Sequence, residues 1–374
     1  MFRCTWRVRI NTIMSKFNVN HITSKSGKNG PVLAGITTVS STGAMRIPSG
    51  PTEYRGGRGR AVFGGGYGAS SPYPELNVLD MVNITTTGNA SDFGDLTIAR
   101  TAIGMGGNST RGIFAGGRYP GVNNDQTQID YVTFSTSGGA NDFGDLSNRP
   151  QSSGAFSDST RGIFSGGYDS RNSPYPGLRQ QTFITIASTG NSSDFGDAVD
   201  PGRKDYAFSN ATRGFTCGSS TQGASPSSLD EIEMTTIQTK GSCVIFGELD
   251  GQGAAGSALI GSLNCWGGAA SQTRGIIFSG KSSPSASRNI IEYLTLSTFG
   301  NSQDFGDMLT SSSSSGSTAT GNQIRAVVKT TSANDGNVLE QVTIATTGNA
   351  TDFGDLNTGR RSYGSVCDAH GGLG

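Results

Sequence analysis

Residues 92–95, Asp-Phe-Gly-Asp, form a tetrapeptide that returns along the chain about every fifty residues. Five copies keep all four residues, and a sixth is altered to Ile-Phe-Gly-Glu at 245–248. The phenylalanines of the six copies are Phe93, Phe143, Phe195, Phe246, Phe305 and Phe353. Periods of this length are typical of propellers, solenoids and similar arrays, in which each repeat is one small unit. The repeat therefore predicts the architecture of the chain before any chemistry is considered.

A second motif recurs with the same spacing. It consists of arginine, then glycine or alanine, and then aliphatic residues or phenylalanine. Its six copies span 60–63, 111–114, 161–164, 213–215, 274–278 and 325–328. Because both motifs appear once in every unit and in the same order, the chain from residue 60 onwards is predicted to consist of six equivalent units.

The unit 111–160 shows what each repeat contains. A short apolar strand ends at Gly116-Gly117, since glycine tolerates positive φ and close backbone approach. A polar loop follows, and then 129–134 alternates between apolar and polar residues, as in a half-buried strand. The Asp-Phe-Gly-Asp segment is expected to make a compact turn with Phe143 and Leu146 pointing inward. A last strand at 152–157 leads to the next repeat, so three or four short strands are predicted per unit.

Composition agrees with an all-β chain. The 374 residues include 57 glycines, and only 33 % are hydrophobic, which suits short strands joined by tight turns. Charge is uneven: residues 1–60 hold ten Lys or Arg and one acid, Glu53, so a charge of +9 there balances −9 over the rest. This asymmetry predicts two zones with different partners. The basic front could meet an acidic protein surface or nucleic acid, or be a solvated leader.

Three zones follow from these patterns. Residues 1–30 are basic, polar and predicted to be extended, and Met14 is a more natural start than Met1. Residues 31–59 are rich in Gly, Ser, Thr and Pro and are predicted to be a linker or a docking strand. Residues 60–374 hold the repeats. Nothing before Arg60 supplies the strand that precedes the Arg motif elsewhere, so the C-terminal strand is expected to pair beside Arg60 and close the ring.

The repeats resemble the kelch repeat of β-propellers, in which an apolar strand ends in Gly-Gly and an arginine follows later. The pairs Gly65-Gly66, Gly116-Gly117 and Gly166-Gly167 carry the resemblance, and the phenylalanine of Asp-Phe-Gly-Asp stands where kelch repeats have tryptophan. The arginines near the expected place are Arg100, Arg149, Arg203 and Arg360. The resemblance covers residues 60–374 and implies an all-β, six-bladed kelch-like β-propeller.

Catalytic and metal-binding patterns are weak in this sequence. A repeated Asp-Phe-Gly does not indicate a kinase, because the strand lysine and His-Arg-Asp loop of kinases are absent. The structural interpretation is that its aspartates accept local backbone hydrogen bonds and its phenylalanine fills the space between blades. The alternative is calcium bound by pairs of carboxylates at Asp92 and Asp95 or at Asp142 and Asp145.

Histidine is too scarce to build a triad or a histidine-based metal site in the repeats. The two histidines, His21 and His370, lie near the two ends of the chain. None of the five cysteines stands in a C-x-x-C pair, which disfavours both a disulfide framework and a zinc ribbon. No apolar run reaches eighteen residues, so no membrane-spanning helix is predicted. The chain is therefore expected not to be an enzyme and to use no cofactor.

The loops after the Gly-Gly pairs hold the candidate binding residues. These loops differ between units while the strands stay alike, and loops on one rim of a propeller lie together. The candidates are Tyr67, Tyr73, Arg118, Tyr119, Tyr168 and Tyr175. Exposed tyrosines can stack on sugars or fill a pocket of a partner. The alternative is that each Tyr-Pro segment stiffens a turn and packs on its neighbour.

The leader resembles the start of virion appendage proteins of tailed phages, particularly those of marine cyanobacteria. The residues that carry this resemblance span 15–22, 26–27 and 35–45. It implies a virion structural protein, tail-fibre-like or on the capsid surface, whose N-terminal segment contacts other virion proteins. The residues expected to form the anchor are Lys16, Phe17, Val19, Ile22, Ile36 and Val39.

The same resemblance implies a homo-oligomer on the particle surface, with propeller loops that bind a host-surface glycan or protein. Direct nucleic-acid binding and membrane insertion are not expected. Two alternatives stay open. One is a kelch-type adaptor that binds another protein. The other is a carbohydrate-active propeller enzyme, which a deep central cleft lined by unrepeated carboxylates would favour.

Overall fold

The structure, a computed structural model of the chain, describes most residues from Gly59 onwards. The described ranges are 59–68, 74–120, 124–171, 177–204, 206–220, 228–250, 263–282, 286–312, 318–330, 336–361 and 363–373. The zones 1–30 and 31–59 and the six predicted anchor residues therefore lie outside them, apart from Gly59, as do the candidate binding residues Tyr73 and Tyr175. All described residues belong to the unit that follows Glu53.

Six antiparallel sheets of four strands form the six blades of a β-propeller. The strands of each blade are named A to D from the inside outwards, and each A strand packs against the A strands of both neighbouring blades. These contacts run from blade 1 to blade 6 and return to blade 1, which closes the ring. The predicted all-β, six-bladed propeller is confirmed.

Blades 1 to 3 contain short strands. Blade 1 consists of A to D strands Gly364–Cys367, Arg60–Gly64, Val78–Asn83 and Ser91–Asp95; blade 2 of Gly104–Gly107, Arg111–Ala115, Gln128–Thr133 and Asn141–Asp145; and blade 3 of Gly154–Ser157, Arg161–Ser165, Gln180–Thr185 and Ser193–Asp197. Two residues after the B strand of blade 1, Tyr67–Gly68, also pair with Arg360–Arg361 in a separate two-stranded sheet.

Blades 4 and 5 contain longer strands, whereas those of blade 6 are again short. Blade 4 consists of Ala207–Ser209, Arg213–Ser220, Ser228–Thr236 and Val244–Glu248; blade 5 of Leu263–Ala270, Arg274–Ser282, Ala286–Thr295 and Gln303–Ser312; and blade 6 of Ala319–Gly321, Arg325–Lys329, Val338–Thr343 and Thr351–Asp355. A short 3-10 helix, Gly371–Leu373, follows the last strand. No helix in the described ranges has the length and apolar character needed to cross a membrane.

The C-terminal strand closes the ring beside Arg60, as predicted. Ala61 lies opposite Cys367 and Phe63 opposite Ser365. Asp368 N donates to Arg60 O at 3.1 Å, and Asp368 Oδ1 accepts a hydrogen bond from Arg60 N at 3.0 Å. Asn108 and Arg111 make the same two bonds inside the A–B hairpin of blade 2. The two chain ends therefore reproduce in blade 1 the contacts that a covalent hairpin makes in the next blade.

The Asp-Phe-Gly-Asp segments form the outer D strands of the blades rather than the compact turns predicted from sequence. The ladder has a bulge at Phe93, between the pairs Leu79–Gly94 and Asp80–Asp92, and Gly94 beside it has a φ of 137°. A Cβ at Gly94 would lie 2.5 Å from the backbone of Gly138 in the next blade. Gly138 N also donates to Phe93 O at 2.7 Å. The motif thus joins each outer strand to the following blade, and that contact requires glycine.

The phenylalanine of each D strand fills the space between two blades, as the structural interpretation predicted. Phe93 belongs to blade 1, but it packs in one cluster with Phe114, Val132 and Phe134 of blade 2. Phe353 of blade 6 packs in the same way against blade 1. All six phenylalanines are buried. The hydrophobic core is therefore a ring of wedges between blades, which makes each blade dependent on its neighbours.

Candidate functional site

The arginine that opens the second repeated motif is a clamp between blades. Arg111 Nη1 donates to Ile186 O of blade 3 at 2.9 Å, and Arg325 Nη1 donates to Ile84 O of blade 1 at 2.8 Å. Arg60, Arg161, Arg213 and Arg274 make the equivalent bond to the carbonyl oxygen that follows the C strand of the next blade. Both repeated motifs are accordingly explained by the scaffold.

A layer of buried ion pairs lies beneath the loops that join B to C strands. Arg360 Nη2 lies 2.8 Å from Asp80 Oδ2, and Lys204 Nζ lies 2.5 Å from Glu233 Oε1. Burial lowers the pKa of Arg360, and burial also raises the pKa of Asp80. Each cation comes from the linker before a blade and each carboxylate from the C strand of that blade. These pairs fix each linker to the blade that follows it, so their charges belong to the scaffold.

The four arginines near the expected kelch place fall into two groups, one buried and one half-buried. Arg100 and Arg360 are the buried members of the ion-pair layer. Arg149 and Arg203 are only half-buried, and their sequence neighbours Pro150 and Lys204 are buried instead. In these two linkers the buried residue is therefore the one that follows the arginine. The sequence pattern does not reveal this difference of one residue.

The four aspartates considered for calcium are all exposed. Asp92 Oδ1 accepts a hydrogen bond from Gly94 N at 3.2 Å, and Asp145 Oδ1 accepts one from Thr127 Oγ1 at 2.7 Å. Asp95 and Asp142 occupy the equivalent strand positions in their own blades. Within the described ranges, no group of three or more His, Cys, Asp or Glu is arranged to hold a metal ion. The Asp92 contact is a local backbone hydrogen bond of the kind that the structural interpretation predicts, whereas Asp145 accepts from a side chain on a neighbouring segment.

The central channel is narrow and lined by small residues of the A strands, including Ala155, Ala207, Ala269 and Ala319. Its cavity volume is about 50 Å³. His370 Nε2 contacts Gly107 O at 2.8 Å and occupies one end of the channel. Burial lowers the pKa of His370. The described lining contains no Asp or Glu, so the carboxylate-lined central cleft that would favour a carbohydrate-active enzyme is not found in this part of the chain.

Gly-Gly pairs shape the rim of blades 1 to 3 on the face that carries the B–C loops and the linkers between blades. Both glycines of each pair have positive φ, for example 64° at Gly116 and 92° at Gly117. A Cβ at Gly117 would lie 2.5 Å from Thr101 O. The incoming linker therefore crosses directly over the end of the B strand, and it pairs with the residue after the glycines, as Thr101 does with Arg118.

The residues placed by this geometry form a crescent of alternating arginine and tyrosine. Tyr67 lies between two guanidinium groups, with its ring centroid 5.5 Å from Arg118 Cζ and 6.0 Å from Arg361 Cζ. Arg118 Nη2 lies 3.9 Å from Glu75 Oε1, and the Arg118 side chain is 32 % exposed. Two blades and one linker thus meet at a single aromatic ring.

The crescent continues onto blade 3. Arg203 Cζ lies 4.6 Å from the centroid of the Tyr168 ring, and Arg203 Nη2 donates to the Tyr168 hydroxyl at 3.0 Å. Tyr119 of blade 2 donates its hydroxyl to Gln128 Oε1 at 2.6 Å, and burial raises its pKa. The B–C loops of blades 2 and 3 also touch, because Ser170 Oγ donates to Asp125 Oδ1 at 2.8 Å. We define the crescent as Tyr67, Arg118, Tyr119, Tyr168, Arg203 and Arg361.

The crescent contains four of the six predicted binding residues and adds two arginines. Arg361 was not among the predicted site residues, and Arg203 was considered only for its kelch-like position. The sequence feature that could have indicated them is a second basic residue next to each of them, Arg360 beside Arg361 and Lys204 beside Arg203. We expected exposed tyrosine rings that stack on sugars. In the structure the rings of Tyr67 and Tyr168 lie against guanidinium groups instead. The arrangement presents fixed hydrogen-bond donors.

Blades 4 and 5 have no Gly-Gly pair at the equivalent positions, which hold Gly218-Ser219 and Ser279-Gly280. Their B strands continue to Ser220 and Ser282. The B strand of blade 5 has 9 residues, against 5 in blade 2. Four additional residues extend a strand by about 13 Å. The same face of the ring therefore carries the crescent on blades 1 to 3 and longer B strands on blades 4 and 5.

Comparison with known proteins does not identify a family. No protein-family model matches the chain, and a search of curated proteins finds no relative.

Proposed function

We propose that the protein is a phage virion structural protein, tail-fibre-like or on the capsid surface, that displays a kelch-like propeller and binds a host-surface ligand. The N-terminal segment attaches it to other virion proteins, and homo-oligomers are the expected form. The proposal begins from the resemblance of the leader and from the separation of ten basic residues at the front from an acidic remainder. Such a separation suits a chain with one buried and one displayed part.

The main observation behind a displayed, ligand-binding propeller is that repeated and unrepeated residues have different roles in the ring. Both repeated motifs make hydrogen bonds between neighbouring blades, as Arg111 does with Ile186 and Phe93 with Gly138. The unrepeated residues lie on one rim, where Arg118 stacks on Tyr67 and Arg203 stacks on Tyr168. A rigid scaffold with variable loops on one face is typical of recognition proteins. We assign ligand binding to that face.

The test is to image purified particles that carry either the full chain or the chain without residues 1–59. Particles with the full chain should show a propeller-sized appendage that is missing after the deletion. The purified deletion variant should remain folded, because the ring is closed by the C-terminal strand. Absence of the full chain from particles would overturn the proposal, and a soluble complex with a host protein would then favour the adaptor alternative.

A further inference from the structure

We infer that the crescent on blades 1 to 3 is a binding site for glycans that bear carboxylate groups. This inference deepens the proposed function, on which it rests for the kind of polymer that is bound. The class of charge follows separately from the contacts of Arg118, Arg203 and Arg361.

The three guanidinium groups are held in place before any ligand arrives. Arg118 and Arg361 lie against Tyr67, and Arg203 lies against Tyr168 and donates to its hydroxyl. A guanidinium stacked on an aromatic ring keeps its planar edge of donors available for a carboxylate. Because these side chains are already ordered, binding costs less conformational entropy than it would for free arginines.

The charge of the crescent is positive. Three of its six residues are arginine and none is acidic. The carboxylates of the layer beneath are engaged elsewhere: Asp80 pairs with Arg360, Asp130 with Arg100, and Glu233 with Lys204. Glu75 approaches Arg118 only to 3.9 Å, at the outer limit of an ion pair. Arg118 and Arg203 are not the cations of these buried pairs, so an anionic ligand that reaches the crescent would meet their positive charges.

The polar character of the crescent favours a glycan over an acidic protein. Protein partners are usually held by Trp, Tyr and Arg anchors that become buried in packed pockets, but the rings of Tyr67 and Tyr168 already lie against guanidinium groups of the crescent. The exposed large apolar side chains of the described residues are Ile98, Val244, Ile245, Phe299, Leu309, Ile324 and Val338, and none belongs to the crescent. Tyrosine hydroxyls and guanidinium edges instead match the hydroxyls and carboxylates of a uronic-acid polymer.

The extent of the crescent also suits a polymer. Its residues come from three neighbouring blades and from the linkers on either side, so successive sugars can contact Arg361, Arg118 and Arg203 in turn. Several moderate contacts to one chain add to a higher overall affinity than any single contact supplies.

The experiment is isothermal titration of the full-length chain with oligogalacturonate, with the same oligosaccharide after its carboxyl groups have been reduced, with a sulfated neutral oligosaccharide, and with a poly-glutamate peptide. The variants are Arg118→Gln, Arg203→Gln and Arg361→Gln. Tyr168→Phe is a second variant at the Arg203 contact. The matched control is Lys240→Gln, which removes one exposed positive charge on the opposite face. Thermal melting shows that each variant is folded.

Oligogalacturonate should bind, and the reduced oligosaccharide should not. Each arginine substitution should weaken binding about tenfold, as expected for one charge-assisted contact, whereas Lys240→Gln should leave binding unchanged. Preference for the sulfated probe would replace carboxylate by sulfate and overturn the assignment. Equal binding of poly-glutamate would overturn the glycan, and equal affinities of all variants would overturn the site.

These outcomes are separate from those of the particle imaging. A chain that is seen on particles but binds none of the four probes refutes the inference and leaves the proposed function standing. A chain that binds oligogalacturonate through the crescent but is absent from particles refutes the proposed function and leaves the site standing.

Discussion

Arg100 forms an ion pair with Asp130 in which both side chains are completely buried, with Nη2 2.9 Å from Oδ2. Arg100 comes from the linker before blade 2, and Asp130 comes from the C strand of that blade. At the same two positions of blade 3 the chain has Pro150 and Thr182, whose equivalence follows from the matching backbone bonds and strand register. Between blades 2 and 3, the two charges are therefore present together or absent together.

The buried pair gives the first prediction. Arg100→Met should lower the free energy of unfolding by about 3–5 kcal/mol, because it leaves the Asp130 charge buried without its partner. The double variant Arg100→Met with Asp130→Leu should lose less, since neither charge remains. Equilibrium denaturation in urea measures both changes. A double variant that is less stable than the single variant would contradict this reason. It would show that the Asp130 carboxylate stabilises blade 2 even without Arg100.

The glycine of the Asp-Phe-Gly-Asp motif gives the second prediction. Gly94→Ala should destabilise the ring strongly, because the added Cβ would lie 2.5 Å from the Gly138 backbone. Gly138→Ala is the matched control: its φ is also positive, at 149°, but nothing lies within 4 Å of a Cβ there. The control should cost about 1–3 kcal/mol from backbone strain alone. Similar melting temperatures for the two variants would contradict the proposed contact between blades.

Closure of the ring gives the third prediction. Ala61 lies directly opposite Cys367 in the pairing of the first B strand with the last strand. Ala61→Cys should form a disulfide with Cys367 under oxidising conditions, since directly paired antiparallel residues can meet the required geometry. Limited proteolysis followed by non-reducing electrophoresis would show the N-terminal and C-terminal fragments joined. In Val62→Cys the opposite residue is Val366, so its fragments should stay separate; joined fragments there would argue against this register.

The junction of blades 3 and 4 gives the fourth prediction. A side-chain hydrogen bond with Asp200, together with burial, raises the pKa of Glu231 to about 7. In the unfolded chain this carboxyl titrates near its ordinary pKa of about 4.3. Between these values the folded protein holds a proton that the unfolded chain has released. The stabilisation is therefore complete below about pH 4 and is lost as the pH rises through 7.

The Glu231→Gln variant isolates this effect. The wild-type chain should lose stability between pH 5 and pH 8 more steeply than the variant, because glutamine stays neutral throughout the range. Melting temperatures measured across that range test the difference. Asp352→Asn, at an exposed carboxyl of blade 6, is the control and should follow the wild type. Glu248 would not serve, because it lies directly opposite Glu231. Parallel curves for wild type and Glu231→Gln would show that Glu231 is ionised in the folded protein.

Much of the architecture can be predicted from the repeats. Six copies of the phenylalanine at positions such as Phe93 and Phe353 predict six blades, and the missing strand before Arg60 predicts closure by the C-terminal strand. Both hold because a repeat unit can bury its apolar face only against its neighbours. The role of the phenylalanine as a wedge between blades was also predictable, since a large apolar residue in a polar repeat has to be buried.

The tertiary structure decides what the individual polar residues do. Asp-Phe-Gly-Asp was predicted to be a turn and is an edge strand, because Gly94 is required by the approach of Gly138 from the next blade. Arg100 and Arg203 follow similar patterns in the sequence, yet one is buried against Asp130 and the other stacks on Tyr168.

The difference between those two arginines has a physical cause. A carboxylate lies about thirty residues further along the chain from each of them, but Asp130 pairs with Arg100, whereas Glu233 pairs with Lys204 instead of Arg203. The path of the linker therefore decides which cation is buried. The sequence alone therefore determined the ring, because its period and its apolar positions are local properties of each repeat. The crescent was decided only by folding, since Arg361 reaches Tyr67 when the two ends of the propeller meet.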